Sequence, residues 1–375
     1  MKRNKKILLS PPHIGVNELK FVNKAFETNW IAPVGPNLSL FEQKISEISL
    51  NYHVAALSSG TAAIHLALIL LGIKKDDEVL CSSFTFAASV NPVKYLMANP
   101  IFIDSEKESW NMCPELLEKA IKDRLKKNKK PKAIILVHLY GMPANMEKIM
   151  NISRIYNIPV IEDAAESLGS KYLGKPLGTF GEFGIFSFNG NKIITTSGGG
   201  ALISKNESLI EKSKYLATQA RNKKPYYEHL DIGYNYRLSN VSAGIGLGQL
   251  EVLNKRVLAK RAINIFYRKS LSSISGISFI DESEQNYSNF WLSTMILDKK
   301  KTIGAENLRL YLEKNNIESR RLWRPMHLQP VFSDCISYVN GVSEELFDKG
   351  LCLPSGTAMS EEDLQFIVDK IKNAI

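Results

Sequence analysis

Cysteine is scarce in this chain and poorly placed for pairing. The 375 residues include four cysteines, which stand far apart at Cys81, Cys113, Cys335 and Cys352. No two of them form a CxxC pair, and no Cys/His spacing is typical of a zinc site. The sequence therefore excludes a disulfide framework and predicts no metal centre. Unpaired thiols are typical of a reducing cytoplasm, which we expect to be the location of the protein.

Long hydrophobic runs are also missing. The longest apolar helix candidate, AAIHLALILLGI at residues 62–73, contains a histidine and is too short to span a bilayer. The start of the chain, MKRNKKILLSPPHIG, is basic, but its apolar run of three residues is too short for the core of a secretory signal. The sequence therefore predicts a soluble protein without a membrane segment.

Acidic residues are outnumbered by basic ones. Lys+Arg total 48 and Asp+Glu total 38, which gives a formal charge of +10. Part of the excess lies in KDRLKKNKKPK, a run typical of a solvated helix end and loop. No aromatic or glycine-rich nucleic-acid motif accompanies this run, so we predict no nucleic-acid partner. The positive potential favours an anionic small substrate.

An alternation of helix and strand patterns is the main positive signal. From about residue 39, short apolar strands such as HVAAL, PIFIDS and KAIILV alternate with helical segments. This alternation predicts an α/β fold whose mostly parallel sheet is covered on both faces. After about residue 250 a long helix leads to a mixed pattern. We therefore predict a large α/β domain at 1–250 and a smaller α+β domain at 251–375.

Two of the predicted strand ends carry groups suited to a phosphate. In open α/β sheets ligands collect at the carboxyl ends of strands. SSGTAA places Gly60 and Thr61 at the start of an apolar helix, where free N–H groups attract an anion. Simple capping of that helix is the alternative. FSFNGNK places Ser187 at a second strand end, with Lys192 on the next turn. A lone lysine is more often solvated or paired with an acid.

Two further strand ends carry an acid and an aromatic ring. VIEDAAES ends a buried strand in Glu162 and Asp163, which would either cap a helix or face a cation in the cleft. FTFAAS places Phe86 where a ring would lie against a flat ligand, although such aromatics more often belong to the core. Each signal is weak alone. Together they match pyridoxal 5′-phosphate, which needs a lysine, an acid on its ring nitrogen and anchors for its phosphate.

Several longer segments resemble a known family. GTAAIHLAL, SSFTFAASVNPV, HLDIGYNYRLSN and IEDAAESLGSKYLGKPLGTFGEFGIFSFNGNKIITTSGGGAL resemble the blocks of the DegT/DnrJ/EryC1/StrS nucleotide-sugar aminotransferases. The likeness covers nearly the whole chain and implies the type I fold of pyridoxal phosphate-dependent transferases, similar to aspartate aminotransferase. SPPHIGVNELKFVNKAFETNWIAPVGPN and LCLPSGTAMS resemble the bacillosamine-pathway branch, which aminates a UDP-linked 4-keto-6-deoxy-N-acetyl sugar.

The resemblance implies roles for individual residues. Lys192 would bond covalently to the cofactor, and Asp163 would pair with its pyridinium nitrogen. A lysine amine is both a nucleophile and a proton carrier, whereas an arginine stays charged. The cofactor-binding set implied by the resemblance is Gly60, Thr61, Phe86, Asp163, Glu166, Ser187, Lys192 and Asn235.

Two residues depart from the family pattern, and one points to a second subunit. Glu166 stands where many relatives carry glutamine or histidine, and Asn189 replaces the histidine of the common FSFH pattern. Their roles stay open. Asn235, in GYNYR, is implied to reach the phosphate in the neighbouring subunit, so we expect a homodimer with shared sites.

The resemblance also implies the reaction. L-glutamate would give its amine to the cofactor, which would pass it to C4 of the UDP-linked 4-keto sugar. Arg324 and His327, in ESRRLWRPMHLQP, are expected near this substrate, and Trp30 would border the sugar pocket. A solvated arginine cluster and a core tryptophan are the alternatives. The nucleotide is open between UDP and dTDP.

Three other functions compete with this interpretation. A dehydratase of the same fold would carry a histidine in place of Lys192. A nicotinamide-dependent oxidoreductase would need GxGxxG after the first strand, but SSGTAA does not provide it and SGGGA precedes a strand. A cofactor-binding sensor without turnover has the same sequence requirements as the enzyme.

Overall fold

The fold is built from alternating helices and strands, as the sequence predicts. The computed structural model describes residues 6–375, so residues 1–5 of the basic start lie outside it. The helices of the described residues are α1 (Glu18–Glu27), α2 (Pro36–Ile48), α3 (Gly60–Leu70), α4 (Asn91–Tyr95), α5 (Pro114–Lys126), α6 (Met146–Tyr156), α7 (Glu207–Ala217), α8 (Asn240–Glu251), α9 (Leu253–Leu271), α10 (Ala305–Lys314), α11 (Val342–Lys349) and α12 (Glu361–Lys372). None of them is long and apolar enough to cross a membrane.

The strands fall into one large sheet and two small ones. They are β1 (His53–Leu57), β2 (Glu78–Ser82), β3 (Asn99–Ile103), β4 (Ala133–Val137), β5 (Val160–Asp163), β6 (Lys171–Tyr172), β7 (Lys175–Pro176), β8 (Phe183–Ser187), β9 (Gly200–Ser204), β10 (Ile277–Ser278), β11 (Asn286–Tyr287), β12 (Ser293–Leu297), β13 (Arg320–Arg321), β14 (Ser337–Tyr338) and β15 (Gly350–Leu353). The large sheet has eight strands in the order β1-β9-β8-β5-β4-β2-β3-β14.

The direction of the strands gathers their ends on one edge of the large sheet. β9 is antiparallel to both β1 and β8, and the other neighbouring pairs are parallel. Because β9 runs against both of its neighbours, β1 and β8 run in the same direction. The carboxyl ends of β1, β8, β5, β4 and β2 therefore meet at one edge. The predicted α/β class with a mostly parallel sheet is confirmed.

Both faces of the large sheet are buried because successive side chains point to opposite sides. On β4, Ile135 packs in a core with residues of α3, whereas Ile134 and Leu136 pack in a second core with residues of α5 and α6. β2 divides in the same way, with Cys81 in the first core and Leu80 in the second. Strands covered on both faces read as continuous apolar runs, which is the pattern that the sequence shows.

The C-terminal part has its own sheet and core. β10, β12, β15 and β13 form a four-stranded antiparallel sheet, which packs with α9, α10 and α12 around Tyr267, Met295 and Leu351. Two segments cross the predicted boundary at residue 250: β14 pairs with β3, and Ile7 forms a bridge with Ile317. The division into domains at 1–250 and 251–375 stays a prediction.

Two segments whose sequence pattern predicts a single helix each are interrupted. ASVNPVKYLMA forms a 3₁₀ turn at Ala87–Ser89 and then the short α4. Pro92 near the start of α4 has no N–H to continue a preceding helix. LEVLNKRVLAKRAINIFYRKSL is divided between α8 and α9 at Val252, whose N–H bonds to the Gln249 carbonyl.

Candidate active site

The turn from β1 to α3 brings the N-terminus of a helix to one edge of the sheet. Ser59 caps α3, because its side chain accepts the Ala62 N–H at 3.0 Å. Gly60 and Thr61 are the first residues of α3, and the first N–H groups of a helix lack intrahelical partners. The positive end of the helix dipole adds to their attraction for an anion. Capping and anion binding, the two alternatives for this motif, are thus compatible.

Small residues bring the ends of three strands together at this turn. Ser187 and Leu57 both lie opposite Gly200 in the sheet. A Cβ atom on Gly60 would lie 3.3 Å from the Ser187 Cβ and 3.7 Å from its Oγ. A Cβ atom on Gly200 would lie 2.4 Å from the Gly60 nitrogen, which no side chain permits. The SGGG run therefore lets the Ser187 hydroxyl approach the start of α3.

Asp163 ends β5 as a buried, hydrogen-bonded carboxylate. It is 5% exposed, its Oδ2 accepts the Ser89 hydroxyl at 2.6 Å, and its Oδ1 accepts the Ala165 N–H at 3.1 Å. Ser89 is in turn 2.8 Å from the Thr85 hydroxyl. The alternative in which this acid caps a helix is wrong, because the next helix along the chain is α7.

The carboxylate of the neighbouring Glu162 is fully occupied by hydrogen bonds inside the protein. Its carboxylate is fully buried, lies 3.1 Å from His138 Nε2, and accepts the N–H groups of Gly178, Phe180 and Gly181. His138 Nδ1 accepts the Ala144 N–H at 3.2 Å, so the ring proton is on Nε2 and is donated to Glu162. Of the two acids that end β5, only Asp163 is left to face the cleft.

Lys192 is enclosed rather than solvated. Its side chain is 13% exposed, with Nζ 3.7 Å from Glu166 Oε1 and 4.2 Å from the centre of the Trp291 ring. Trp291 also donates its Nε1–H to the Asn191 carbonyl at 2.7 Å. One tryptophan thus contacts both the amine of Lys192 and the backbone beside it. A cation over an aromatic face is stabilised by the ring quadrupole.

Glu166 lies between Lys192 and the turn after β4. Its Oε2 accepts the Tyr140 N–H at 2.7 Å. Tyr140 has a φ of 52°, a left-handed conformation uncommon for a residue with a side chain, and its bond to Glu166 helps to hold it there. Burial raises the pKa of the Glu166 carboxyl, and the Lys192 ammonium and the Tyr140 N–H oppose this shift only in part.

The pKa of Glu166 leads to a prediction about stability. In the range between its unfolded and folded pKa values, the folded chain keeps a proton that the unfolded chain loses. Wild-type stability therefore falls as pH rises through that range. Glu166→Gln cannot ionise, so we expect its free energy of unfolding relative to wild type to increase over the same range. Urea unfolding of the cofactor-free protein at a series of pH values measures this difference. The exposed Glu284→Gln is the control, and a pH-independent difference for Glu166→Gln would contradict the prediction.

The segment 83–86 and the C-terminal segment 323–327 lie side by side. Phe86 is 53% exposed, in contrast to the buried Phe84, and its ring centre is 5.2 Å from that of Trp323. His327 Nδ1 is 2.6 Å from the Ser83 hydroxyl, and its Nε2 is 3.2 Å from Glu344. The fold thus joins the segment of Phe86 to that of His327 through the Phe86–Trp323 and Ser83–His327 contacts, and leaves Arg324 exposed.

Trp30 and Asn235 are not joined to Lys192 by any contact within residues 6–375. Trp30 follows α1, is 45% exposed, and its carbonyl accepts the Asn240 side chain at 2.7 Å. Asn235 is exposed and forms a bridge with Thr218. The next residue along the chain, Tyr236, accepts the Ser58 N–H at 2.7 Å. Asn235 therefore lies near the turn from β1 to α3, and its side chain is exposed.

Sequence reasoning missed a stack of aromatic rings beneath Lys192. The Tyr140 ring lies between Trp291 and Trp323, with centre distances of 6.4 and 6.1 Å and interplanar angles of 19° and 14°. The Tyr140 hydroxyl accepts the backbone N–H of Trp323 at 2.9 Å. Tyr140 follows the carboxyl end of β4, so its place in the chain could have predicted that it lies at the same edge of the sheet as the other site residues. The two tryptophans come from the C-terminal part, and no local pattern marks them.

The fold and the site together define a class of protein. A mostly parallel sheet with an enclosed lysine, a buried strand-end carboxylate and a helix N-terminus on one edge is the arrangement of a type I pyridoxal phosphate-dependent transferase. The model of the DegT/DnrJ/EryC1/StrS aminotransferase family matches residues 12–372. The chain belongs to this family and is a sugar aminotransferase.

Individual relatives agree with this assignment. The chain is 48% identical to EpsN of Bacillus subtilis (strain 168), whose name describes a pyridoxal phosphate-dependent aminotransferase, over 98% of this chain and 95% of EpsN. It is 37% identical to the GDP-perosamine synthase of Escherichia coli O157:H7, over 96% of each chain. The crystal structure of a DegT DnrJ EryC1 StrS aminotransferase from Brucella abortus superposes with a TM-score of 0.89 at 29% identity, covering 95% of both chains.

The cofactor of this family is pyridoxal phosphate, and the residues present fit it. The cradle that Gly60 and Ser187 form is one that an added Cβ would fill, which leaves room for a phosphate beside the N-terminus of α3. The buried Asp163 carboxylate suits a ring nitrogen, and the enclosed Lys192 amine suits an aldehyde. The prediction of this cofactor is confirmed.

Proposed function

We propose that the protein transfers the amino group of L-glutamate to C4 of a UDP-linked 4-keto-6-deoxy-N-acetylhexosamine. The observation that supports amine transfer most directly is the enclosure of Lys192 Nζ by Glu166 and Trp291. The product is a UDP-linked 4-amino sugar for glycan biosynthesis. The resemblance of residues 10–37 and 351–360 to the bacillosamine branch supports the UDP-linked acceptor.

The proposed chemistry assigns separate roles to the cofactor, Lys192 and Asp163. When bound, pyridoxal phosphate supplies an electron-withdrawing ring and an aldehyde that takes up and releases amines. Lys192 would hold the cofactor through Nζ at the aldehyde carbon, with loss of water, and its amine, once displaced by the amine of the donor, would carry a proton to and from the substrate carbon. Asp163 would keep a proton on the ring nitrogen, because a carboxylate at that position favours the cationic ring.

The remaining cofactor contacts hold the ring and phosphate in place. The N–H groups of Gly60 and Thr61 and the hydroxyls of Thr61 and Ser187 bind the phosphate. Phe86, with half of its surface exposed, stacks on the ring. Glu166, 3.7 Å from Lys192 Nζ, orients the amine.

The sugar nucleotide is proposed to bind beside the segment 323–327. Arg324 is exposed there and offers a charge for the diphosphate. The Nδ1 of His327 is held by Ser83, and its Nε2 contacts the exposed Glu344, so His327 would bind a sugar hydroxyl through Nε2 when the substrate displaces Glu344. Trp30 is assigned to the rim of the sugar pocket in the assembled protein.

A homodimer with shared sites is the proposed assembly. Asn235 is exposed close to the turn from β1 to α3, and the exposed apolar residues Leu230 and Ile232 precede it, at 78% and 87% exposure. Apolar side chains exposed to that extent are typical of an interface. In a C2 dimer, Asn235 would reach the phosphate of the partner's site.

A GDP-linked 4-keto sugar is the second candidate acceptor. It is favoured by the 37% identity with an enzyme named GDP-perosamine synthase. The two candidates share the C4 ketone and differ in the nucleotide and in the substituent at C2.

A product assay separates the candidates. Purified protein is supplied with pyridoxal phosphate, L-glutamate and, in parallel, UDP-, GDP- and dTDP-linked 4-keto-6-deoxy sugars, with Lys192→Arg as the blank. We expect kcat/KM to be highest for the UDP-linked N-acetyl sugar, because the site is proposed to bind its nucleotide and acetamido group. Preference for the GDP- or dTDP-linked sugar would refute the proposed acceptor and leave amine transfer intact. No 4-amino product from any sugar would refute both.

A further inference from the structure

The residues at 9–13 form a strap across the turn that carries Lys192. Leu9 is held at both of its backbone groups: its N–H donates to Glu318 at 3.0 Å, and its carbonyl accepts the Ser355 N–H at 2.7 Å. His13 is held by the side chain of Arg256, which donates to its carbonyl at 2.9 Å. The strap is thus fixed at Leu9 by Glu318 and Ser355, and at His13 by Arg256 of α9.

Ser10 connects the strap to the turn. Its hydroxyl lies 3.1 Å from the Asn191 carbonyl and 2.9 Å from Lys260 Nζ. A carbonyl only accepts, and a hydroxyl has one proton, so Ser10 donates to Asn191 and accepts from Lys260. A series of hydrogen bonds therefore runs from Lys260 on α9 through Ser10 to Asn191, the residue before Lys192.

Three hydrogen bonds hold the peptide unit between Asn191 and Lys192. The Asn191 carbonyl accepts Trp291 Nε1 at 2.7 Å in addition to the Ser10 hydroxyl. The Lys192 N–H donates to the Asn189 carbonyl at 3.0 Å. Because a peptide unit is planar, bonds at both its C=O and its N–H fix the plane from which the Lys192 side chain starts.

Lys260 is an unusual residue for this place. It is 2% exposed, and within residues 6–375 no charged group adds to the effect of burial on its amine. Burial lowers the pKa of Lys260 to about 7, and both its neutral and its charged form keep an N–H to donate. A buried amine without an acid costs desolvation energy that an apolar side chain of the same length would avoid. Packing alone therefore does not account for a lysine here.

We infer that Lys260 is a positioning residue which, through Ser10, fixes the Asn191–Lys192 peptide and so holds the Lys192 amine between Glu166 and Trp291. This inference rests on the proposed role of Lys192. It assigns a function in the site to a side chain on α9 and to the strap, neither of which touches the reacting atoms.

The test measures the exposure of Lys192 in the full-length, cofactor-free protein. Trace labelling with acetic anhydride, followed by peptide mass spectrometry, gives the rate at which Lys192 is acetylated relative to the exposed Lys44. Lys260→Met and Ser10→Ala are each expected to increase this rate by about 2- to 10-fold, the factor that one buried hydrogen bond is worth. The double variant is expected to show the same rate as the single variants, because both changes break the same series of hydrogen bonds.

A matched control separates positioning from general loosening. Tyr267→Phe removes another buried hydrogen bond of α9, the one from the Tyr267 hydroxyl to the Pro354 carbonyl at 2.8 Å. It is expected to leave the Lys192 rate unchanged. An unchanged rate in Lys260→Met and Ser10→Ala, additive effects in the double variant, or an equal increase in Tyr267→Phe would overturn the inference. Failure of the proposed role of Lys192 is a separate result, because borohydride would then fix no pyridoxal phosphate on wild-type Lys192.

Discussion

Lys192→Arg is expected to reduce amine transfer by at least about 10³-fold and to abolish covalent attachment of the cofactor. Arginine keeps the positive charge that Glu166 and the Trp291 ring contact in the wild type. It has no amine that can lose its proton and bond to an aldehyde. The loss of activity would therefore measure the role of Lys192 as nucleophile and proton carrier, because the positive charge is kept.

Borohydride reduction makes this prediction measurable apart from turnover. Wild-type protein loaded with pyridoxal phosphate should yield, after reduction, a tagged peptide that contains Lys192, and Lys192→Arg should yield none. Lys175→Arg is a matched control, since Lys175 Nζ lies 4.3 Å from the centre of the Phe180 ring, much as Lys192 lies over Trp291. A tag on any other lysine, or activity of Lys192→Arg within tenfold of the wild type, would contradict the assignment.

The parts of the site that the sequence predicts are those with local signals. Ser59 caps α3 directly after β1, and Asp163 ends an apolar strand, so both positions follow from patterns a few residues long. The rule that parallel strands present their carboxyl ends at one edge then brings these positions together. Ser187 was predicted only as a second strand end, and the register of β9 with β1 and β8 brings it beside Gly60.

The parts that the sequence does not predict depend on contacts between distant segments. Asn191 and Trp291 are 100 residues apart, and Ser10 and Asn191 are 181 apart. Lys260 and Ser10 are separated by 250 residues. A single side-chain contact of this kind leaves no periodicity, and packing of whole elements decides it. For the same reason the two-residue strand β14, which joins the large sheet, had no sequence signal.

Asp163→Asn is expected to keep the cofactor bound and to lower turnover by at least about 10²-fold. The fold should tolerate the change because the amide has nearly the same shape. Its oxygen can still accept the Ala165 N–H, and its NH₂ group can donate to the Ser89 hydroxyl, which can rotate. The negative charge is lost, and with it the preference for a protonated ring nitrogen.

The comparison with a second buried aspartate isolates this effect. Asp104 directly follows β3, is fully buried and accepts the N–H groups of Ser105, Gly341 and Ser343, so it is held by hydrogen bonds at a strand end as Asp163 is. Asp104→Asn is therefore expected to lower the free energy of unfolding and to leave kcat within a few-fold of the wild type. Cofactor retention, measured from the absorption of bound pyridoxal phosphate, should be intact in Asp163→Asn, so that its loss of kcat is a loss of chemistry. Turnover of Asp163→Asn within a few-fold of the wild type would show that the charge at this strand end has no part in the reaction.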